Sequence, residues 1–376
     1  MRRIVFTGGG TAGHVTPNLA LMERLPPADW DIHYIGTAEG IERELIAARP
    51  RVTYHAIEAG KLRRYASLKN LSDPFRVLRG LAQSKKLIRQ LKPDVVFSKG
   101  GYVSVPVVMA ARGRCPVLVH ESDYSPGLAN RIAARYADIL CLTFTRESPP
   151  PGGGKPSRMA GGSGKARHGL RTVVTGTPIR PELYRGDRAA ALAFAGLSGD
   201  KPVLLIMGGS QGAGPVNELV RAALPTLLQT FDIVHLCGKG KVDRDAVRPG
   251  YVQFAYVNRE LADLLALCDV ALSRAGANAV FELLALQKPT ALVPLPLYAS
   301  RGDQIQNARY MADRGWALHL PQEEQTPETL TAALRELYEQ RRAYAIRMRD
   351  AKADGTEKIL ELIFEVGKGE VISNRE

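Results

Sequence analysis

The sequence predicts an α/β protein in two halves, each a parallel sheet covered by helices on both faces. Three observations predict it. Short apolar runs alternate with amphipathic stretches along all 376 residues, the pattern of strands joined by crossover helices. The chain is longer than one ordinary domain. A glycine turn also follows an apolar run near the start of each half. The first is Gly8-Gly9-Gly10-Thr11-Ala12-Gly13-His14 after Ile4-Val5-Phe6, and the second is Gly208-Gly209-Ser210-Gln211-Gly212-Ala213 after Val203-Leu204-Leu205-Ile206-Met207. A strand that runs into a glycine turn and then a helix aims backbone N–H groups at a phosphate or diphosphate. Two such units point to two Rossmann-like domains facing one anionic ligand.

The elements follow in order. In the first half the expected strands are 4–7, 32–35, 53–56, 95–98, 117–120 and 139–142, with helical patterns at 17–24, 40–48, 74–90, 103–111 and 126–136. The second half repeats the scheme with strands at 203–207, 232–236, 252–255, 270–273, 290–293 and 316–320, closed by a polar helical stretch over 327–366. Residues 147–171 are rich in proline, glycine and basic residues without periodicity and read as a surface loop. Their Gly164-Lys165 is not a nucleotide P-loop, because Ala166 stands where Ser or Thr is needed and Met159 where glycine is needed. The expected domains are 1–180 and 181–366, the last helix packing back on the first, with a tail over 367–376.

Composition narrows the class. The four cysteines are scattered with no Cys-x-x-Cys pair, which fits a reducing compartment and neither a zinc site nor a disulfide framework. No apolar run approaches a membrane span, and the opening residues do not read as a signal peptide, so a soluble or peripheral protein is expected. Of the net charge of +13, residues 1–180 carry 28 basic against 13 acidic residues, and the remainder 23 against 25. A one-sided basic half calls for an anionic surface, membrane or nucleic acid. Aromatic-rich stacking strips, which single-stranded nucleic acid needs, are absent from the sequence.

Chemistry gathers at strand ends. A dinucleotide site would place an acid at the tip of the second strand, but Tyr34-Ile35-Gly36-Thr37 has none. His14 sits at a helix start, where the dipole favours a neutral, base-competent imidazole. Lys99-Gly100-Gly101-Tyr102-Val103-Ser104 is a third glycine turn, and His120-Glu121-Ser122-Asp123 puts an acid–base cluster at another strand tip. In the second half, Arg274-Ala275-Gly276 precedes a helix carrying Glu282, and Asp303 is placed to cap the helix that follows Arg301-Gly302. Asp243-Arg244-Asp245 reads as solvated surface, so no metal site is expected.

These segments, with Gly176-Thr177-Pro178-Ile179-Arg180 and Asp303-Gln304 before Asn307-Ala308, resemble the MurG family of bacterial N-acetylglucosaminyltransferases, in order and over essentially the whole chain. The variant with Ser98-Lys99-Gly100-Gly101, Glu121-Ser122-Asp123 and Ser300-Arg301-Gly302-Asp303-Gln304 is similar to the staphylococcal form. The resemblance implies a GT-B fold, two Rossmann-like domains across a central cleft. It implies UDP-GlcNAc as donor, no cofactor or metal, and lipid-linked MurNAc-pentapeptide (lipid I) as acceptor. Ser210 and Arg180 would contact UDP, the backbone of Val257 the uracil, Gly276 the phosphate and Glu282 the ribose. Asp303 and Gln304 would read the GlcNAc hydroxyls, while Thr11, Ala12, Gly13, Tyr102 and Asp123 would meet sugar and acceptor. His14 is the expected base, with Glu121 and Asp123 as competing carboxylates. Three departures stand out: Ala12 for a common glycine, Ser122-Asp123 for Gln-Asn, and Ala279 for a hydroxyl.

The acceptor being a lipid, the basic run from Lys61 to Lys92, with Leu71, Phe75 and Leu78 at helical spacing, is expected to dock on an anionic leaflet at the cytoplasmic face of the membrane. Cell-wall synthesis proteins are possible partners; nucleic acid is not expected. The alternatives are another GT-B enzyme, a lipid glucosyltransferase or a UDP-GlcNAc 2-epimerase, and a non-catalytic membrane- or nucleic-acid-binding protein.

Overall fold

The computed structural model describes residues 1–60, 69–145, 169–209 and 212–367. The chain forms two compact units. The first comprises residues 1–145, 169–180 and 354–367 of the described chain, and the second residues 181–353.

The first unit holds β1 (Arg2–Thr7), β2 (Trp30–Thr37), β3 (Val52–Ile57), β4 (Val95–Ser98), β5 (Val117–Glu121), β6 (Ile139–Leu142) and β7 (Arg171–Val174), paired in the order β3-β2-β1-β4-β5-β6-β7. Every pairing is parallel. Its helices are α1 (Thr16–Arg24), α2 (Ile41–Ala47), α3 (Lys69–Leu91), α4 (Ser104–Ala111) and α5 (Leu128–Ala133). A parallel sheet needs cover on both faces, and strict alternation along each strand supplies two cores. Ile4, Phe6, Ile32, Tyr34 and Phe97 point to one face, against Leu19, Leu21 and Met22 of α1. Val5, Ile35, Val96, Val117 and Val119 point to the other, against Ile88 of α3 and Val107 and Val108 of α4.

The second unit holds β8 (Val203–Met207), β9 (Asp232–Leu236), β10 (Tyr251–Phe254), β11 (Val270–Ser273), β12 (Thr290–Leu292) and β13 (Ala317–His319), in the order β10-β9-β8-β11-β12-β13. Its helices are α6 (Arg188–Ala195), α7 (Gly214–Leu227), α8 (Leu261–Leu267), α9 (Ala277–Ala285), α10 (Asp303–Asp313), α11 (Pro327–Glu339) and α12 (Arg341–Met348). Asp187 caps α6 by accepting from the N–H groups of Ala189 and Ala190, and Gly196 ends it in a left-handed conformation. Thr326 and Thr329 close a capping box on α11.

Three expectations are corrected. The closing stretch is not one polar helix: α11 and α12 stay with the second unit, and α13 (Thr356–Gly367) is a separate amphipathic helix. Its Ile359, Leu360, Leu362, Ile363 and Val366 complete the α1 core of the first unit. The region expected as a loop over 147–171 ends in a strand, because Arg171 begins β7; residues 147–168 lie outside the described chain. Asp303 does not cap α10. Gly302, with φ of 80°, takes the cap position, and Asp303 is the first helical residue, 3.9 Å from Arg301 Nε.

Candidate active site

Each strand order reverses once, between β1 and β4 in the first unit and between β8 and β11 in the second. In open α/β sheets the crevice at such a switch point, outside the carboxyl ends of the strands, is where ligands bind. The glycine turns fall there.

In the first unit the turn after β1 abuts the turn after β4. A side chain on Gly10, whose φ is 85°, would place its Cβ 2.7 Å from the Tyr102 ring. One on Gly101, with φ of 83°, would stand 2.3 Å from Gly9 O and 3.2 Å from His14 Nδ1. Only glycine allows so close an approach in that conformation. His14, Gly101 and Tyr102 are thereby brought together. His14 ends a short 3-10 turn, Ala12–His14, rather than opening α1. Ala12 lies within that turn without a positive φ, since among the described residues only Lys92 and Gln287 besides glycines have one. His14 Nδ1 lies 3.0 Å from Thr11 Oγ1. A proton on Nδ1 given to that oxygen leaves Nε2 with its lone pair.

The missing acid of β2 comes from α2. Glu42 is fully buried; its Oε2 accepts the Gly10 N–H at 3.2 Å, and its Oε1 accepts the Thr37 N–H at 3.0 Å and the Thr37 hydroxyl at 2.5 Å. The inner N–H of the first turn is therefore committed to the protein's own carboxylate. Asn18 of α1 donates to Thr7 O at 3.2 Å, and Tyr34 Oη to Gly8 O at 2.6 Å, which pin the turn to its strand.

At the tip of β5, Glu121 Oε1 accepts the Asp123 N–H at 2.9 Å and Oε2 the Asn130 amide at 3.0 Å. Burial and the Asp123 charge push its carboxyl up to about 7. Lys99 is fully buried, donates to His120 Nδ1 at 2.9 Å and to Ser122 Oγ, and is pushed down to about 7 by burial. The His120 imidazole, buried and beside that ammonium, is held well below its usual range and donates from Nε2 to Gly176 O at 2.9 Å.

In the second unit Gly276 caps α9, and side chains added at Gly209 and Gly276 would enter open space. These two backbones at the switch point are open to approach. Ser210 lies outside the described residues, as does Gln211. The turn is braced from below. Tyr251 Oη donates to His235 Nδ1 at 2.9 Å, His235 Nε2 to Asn217 Oδ1 at 3.0 Å, and Asn217 Nδ2 to Cys237 O at 2.9 Å. Gly212 presses on that same carbonyl, where an added Cβ would lie 2.1 Å away. Burial lowers His235 to about 3, which keeps it neutral.

Val257 is buried just past β10, and Glu282 lies on α9. Gln304 uses its carbonyl to accept the Leu295 N–H at 3.1 Å, fixing the loop before α10. Arg274 is a strut, donating to Val293 O and Pro294 O at 3.0 Å each and to Gln322 Oε1 at 2.7 Å. Arg180 is the last residue of the first unit before the chain passes into the second. Among the described residues no group of three or more His, Cys, Asp or Glu is placed to hold a metal. Sequence reasoning missed Glu42, Asn18, Asn217 and His235. Asn18, Glu42 and Asn217 are polar residues on helices and His235 lies on β9, and each looks like a surface residue until its partner is known.

Two doubly wound units, each with a glycine turn at its switch point, define the GT-B class of glycosyltransferases. Solved structures agree: the calicheamicin glycosyltransferase CalG4 has the same fold at a TM-score of 0.66, 17% identity and 99% of both chains covered. MurG of Acinetobacter baumannii gives a TM-score of 0.72 and 27% identity over 97% of this chain and 100% of that one. Residues 4–140 match the glycosyltransferase family 28 N-terminal domain, and residues 203–363 its C-terminal domain. Two relatives are named UDP-N-acetylglucosamine–N-acetylmuramyl-(pentapeptide) pyrophosphoryl-undecaprenol N-acetylglucosamine transferase. That of Lachnospira eligens is 50% identical over 96% of this chain and 99% of its own, and that of Clostridium botulinum strain Loch Maree 49% over 96% and 99%. The chain belongs to the MurG family.

Proposed function

We propose that the protein transfers GlcNAc from UDP-GlcNAc to the C4 hydroxyl of the MurNAc of lipid I, making lipid II for peptidoglycan. The observation that carries this is half-identity to enzymes of that name over nearly the full length of both chains. One switch point in each unit fits a two-substrate reaction. No cofactor enters it.

The reaction inverts the anomeric centre: the acceptor hydroxyl attacks in line as the diphosphate leaves. His14 takes the proton at Nε2, the Nδ1 side being turned to Thr11. The backbone of the second turn, the N-terminus of α9 at Gly276 and Arg180 stabilise the departing diphosphate, with Ser210 and Val257 on UDP and Glu282 on the ribose. Asp303 and Gln304 meet the sugar. Thr11, Ala12, Gly13, Tyr102 and Asp123 line the acceptor side, and Glu121 is the alternative base.

The lipid acceptor places the enzyme on the cytoplasmic face of the membrane as a peripheral protein. No described helix is long and apolar enough to cross a bilayer. On α3, Phe75 is 69% and Leu78 62% exposed, amid exposed Arg76, Arg79, Lys85 and Lys86. Exposed apolar side chains rimmed by basic ones suit an anionic leaflet. Leu71 lies outside the described side chains. Cell-wall synthesis proteins are further proposed partners. The relatives named above are from Lachnospira and Clostridium, so the proposed affinity to the staphylococcal form rests on the motif variant alone.

The deciding measurement is UDP release and lipid II formation from UDP-GlcNAc with and without a lipid I analogue. Acceptor-dependent release is expected. Release without acceptor, with the sugar epimerised, would replace the proposal with the epimerase reading.

A further inference from the structure

The buried ammonium of Lys99 has no part in the proton transfer or leaving-group contacts above, yet it lies within the acid–base cluster. A charge taken wholly out of water is costly unless its donors are met. Two of its three are, by His120 Nδ1 at 2.9 Å and by Ser122 Oγ.

The bonds beyond it run in one direction. Gly176 O can only accept, so His120 carries its proton on Nε2, and its Nδ1 is left to accept from Lys99. The chain therefore reads Ser122, Lys99, His120, Gly176. At one end Ser122 lies between Glu121 and Asp123. At the other, Gly176 has a φ of 81° and opens the segment leading to Arg180. That segment is itself fixed, since Thr177 O accepts the Gly355 N–H at 2.8 Å.

We infer that Lys99 is a positioning residue of the transfer reaction: through Ser122 and His120 its ammonium holds the acidic tip of β5 and the Gly176 turn in one arrangement. The inference rests on the proposed glycosyl transfer for its catalytic meaning, and on the hydrogen-bond chain for its structural one. The titratable groups facing Lys99 are His120, Glu121 and Asp123 of the β5 tip and Cys141 of β6. Lys99 and Glu121 both titrate near neutrality, each favouring the charged form of the other. The charge of the tip at working pH therefore depends on Lys99.

The test compares wild type with Lys99→Met and Ser122→Ala. In acceptor-dependent transfer, Lys99→Met is expected to lower kcat on the order of 10²-fold, as a misplaced active-site group does, with KM for UDP-GlcNAc near wild type. The limb of the pH profile near neutrality should move. Ser122→Ala, which cuts only the tip end of the chain, should move the same limb by less. In parallel, carbon NMR follows Glu121 directly: its titration should shift upward in Lys99→Met, where the stabilising cation is gone. A folded Lys99→Met with unchanged kcat, pH limb and Glu121 titration overturns the inference. If Lys99→Met does not fold, an unmoved limb in Ser122→Ala overturns it. A wild type without transfer, but with the Glu121 shift in Lys99→Met, sinks the functional proposal and leaves the hold of Lys99 on the tip intact.

Discussion

Asn18, Asn130, Asn217 and Asn307 sit on four different helices, and each gives its side-chain amide to a carbonyl at a strand end or in the turn just after it. Each bond ties a helix to the turn it must support. Glu42 does the same for two N–H groups and a hydroxyl at once. Glu42→Ala takes the acceptor from three donors on the exposed Gly10 and the half-buried Thr37, at about 0.5–1.5 kcal/mol for each lost bond. We expect a fall in unfolding free energy of about 2–5 kcal/mol, read by urea denaturation, and a smaller one for Glu42→Gln. The Lys99–Glu121 pair makes a pH prediction whose sign can be worked out. Glu121 is raised from 4.5 to about 7, so between these values the native state holds the extra proton and stability falls as pH rises. Lys99 is lowered from 10.5 to about 7, so above 7 the unfolded chain holds the extra proton and stability rises again. The pair contributes a trough near pH 7. Subtracting the melting curve of a Lys99→Met, Glu121→Gln double variant across pH should reveal it, and a flat difference would refute it. For the chemistry, His14→Ala should lower kcat by about 10²–10⁴-fold with UDP affinity, by calorimetry, near wild type.

Of the elements, α3 and α13 have the clearest separate tasks. On α3, replacing Phe75 and Leu78 by Ser should weaken sedimentation with vesicles containing anionic lipid while leaving the fold unchanged, since neither side chain is in the core. Raising salt should weaken binding further, because the basic rim is screened. Equal binding to zwitterionic vesicles at high salt would refute the docking role. On α13, Ile363 is fully buried, and Ile363→Ala should cost about 2–5 kcal/mol. The strands of both sheets were legible in the sequence because a parallel sheet demands unbroken apolar runs. β7 was not, since an edge strand with exposed Arg171 and Thr172 carries little apolar signal beside a glycine-rich stretch. The break between α12 and α13 was hidden because both segments are helical in pattern, and only burial tells them apart. The glycine turns could be read directly. The residues under them could not, because a buried Asn, Glu or His on a helix or strand looks like a surface residue until its partner is known.

The whole molecule is two units threaded by one chain that leaves the first, completes the second and returns. The excess basic charge sits in the half that carries α3, and the other half is nearly neutral. Among the described residues, 181–353 alone make up the second unit. Expressed alone, they should fold and bind UDP, seen as a ligand-dependent rise in melting temperature. Residues 1–180 alone lack α13, whose own five buried apolar side chains contribute about 1.5–3 kcal/mol each, comparable to the stability of an entire domain. That fragment should not fold cooperatively by calorimetry. The same threading fixes an order of events at the ribosome. The unit that is translated second has all its parts first. The unit translated first must wait, with the apolar face of its sheet uncovered, until the helix at 356–367 emerges. Chaperone demand during synthesis should therefore be set by the last segment made, and a pause anywhere from the boundary near 180 to the emergence of 356–367 should leave that face exposed.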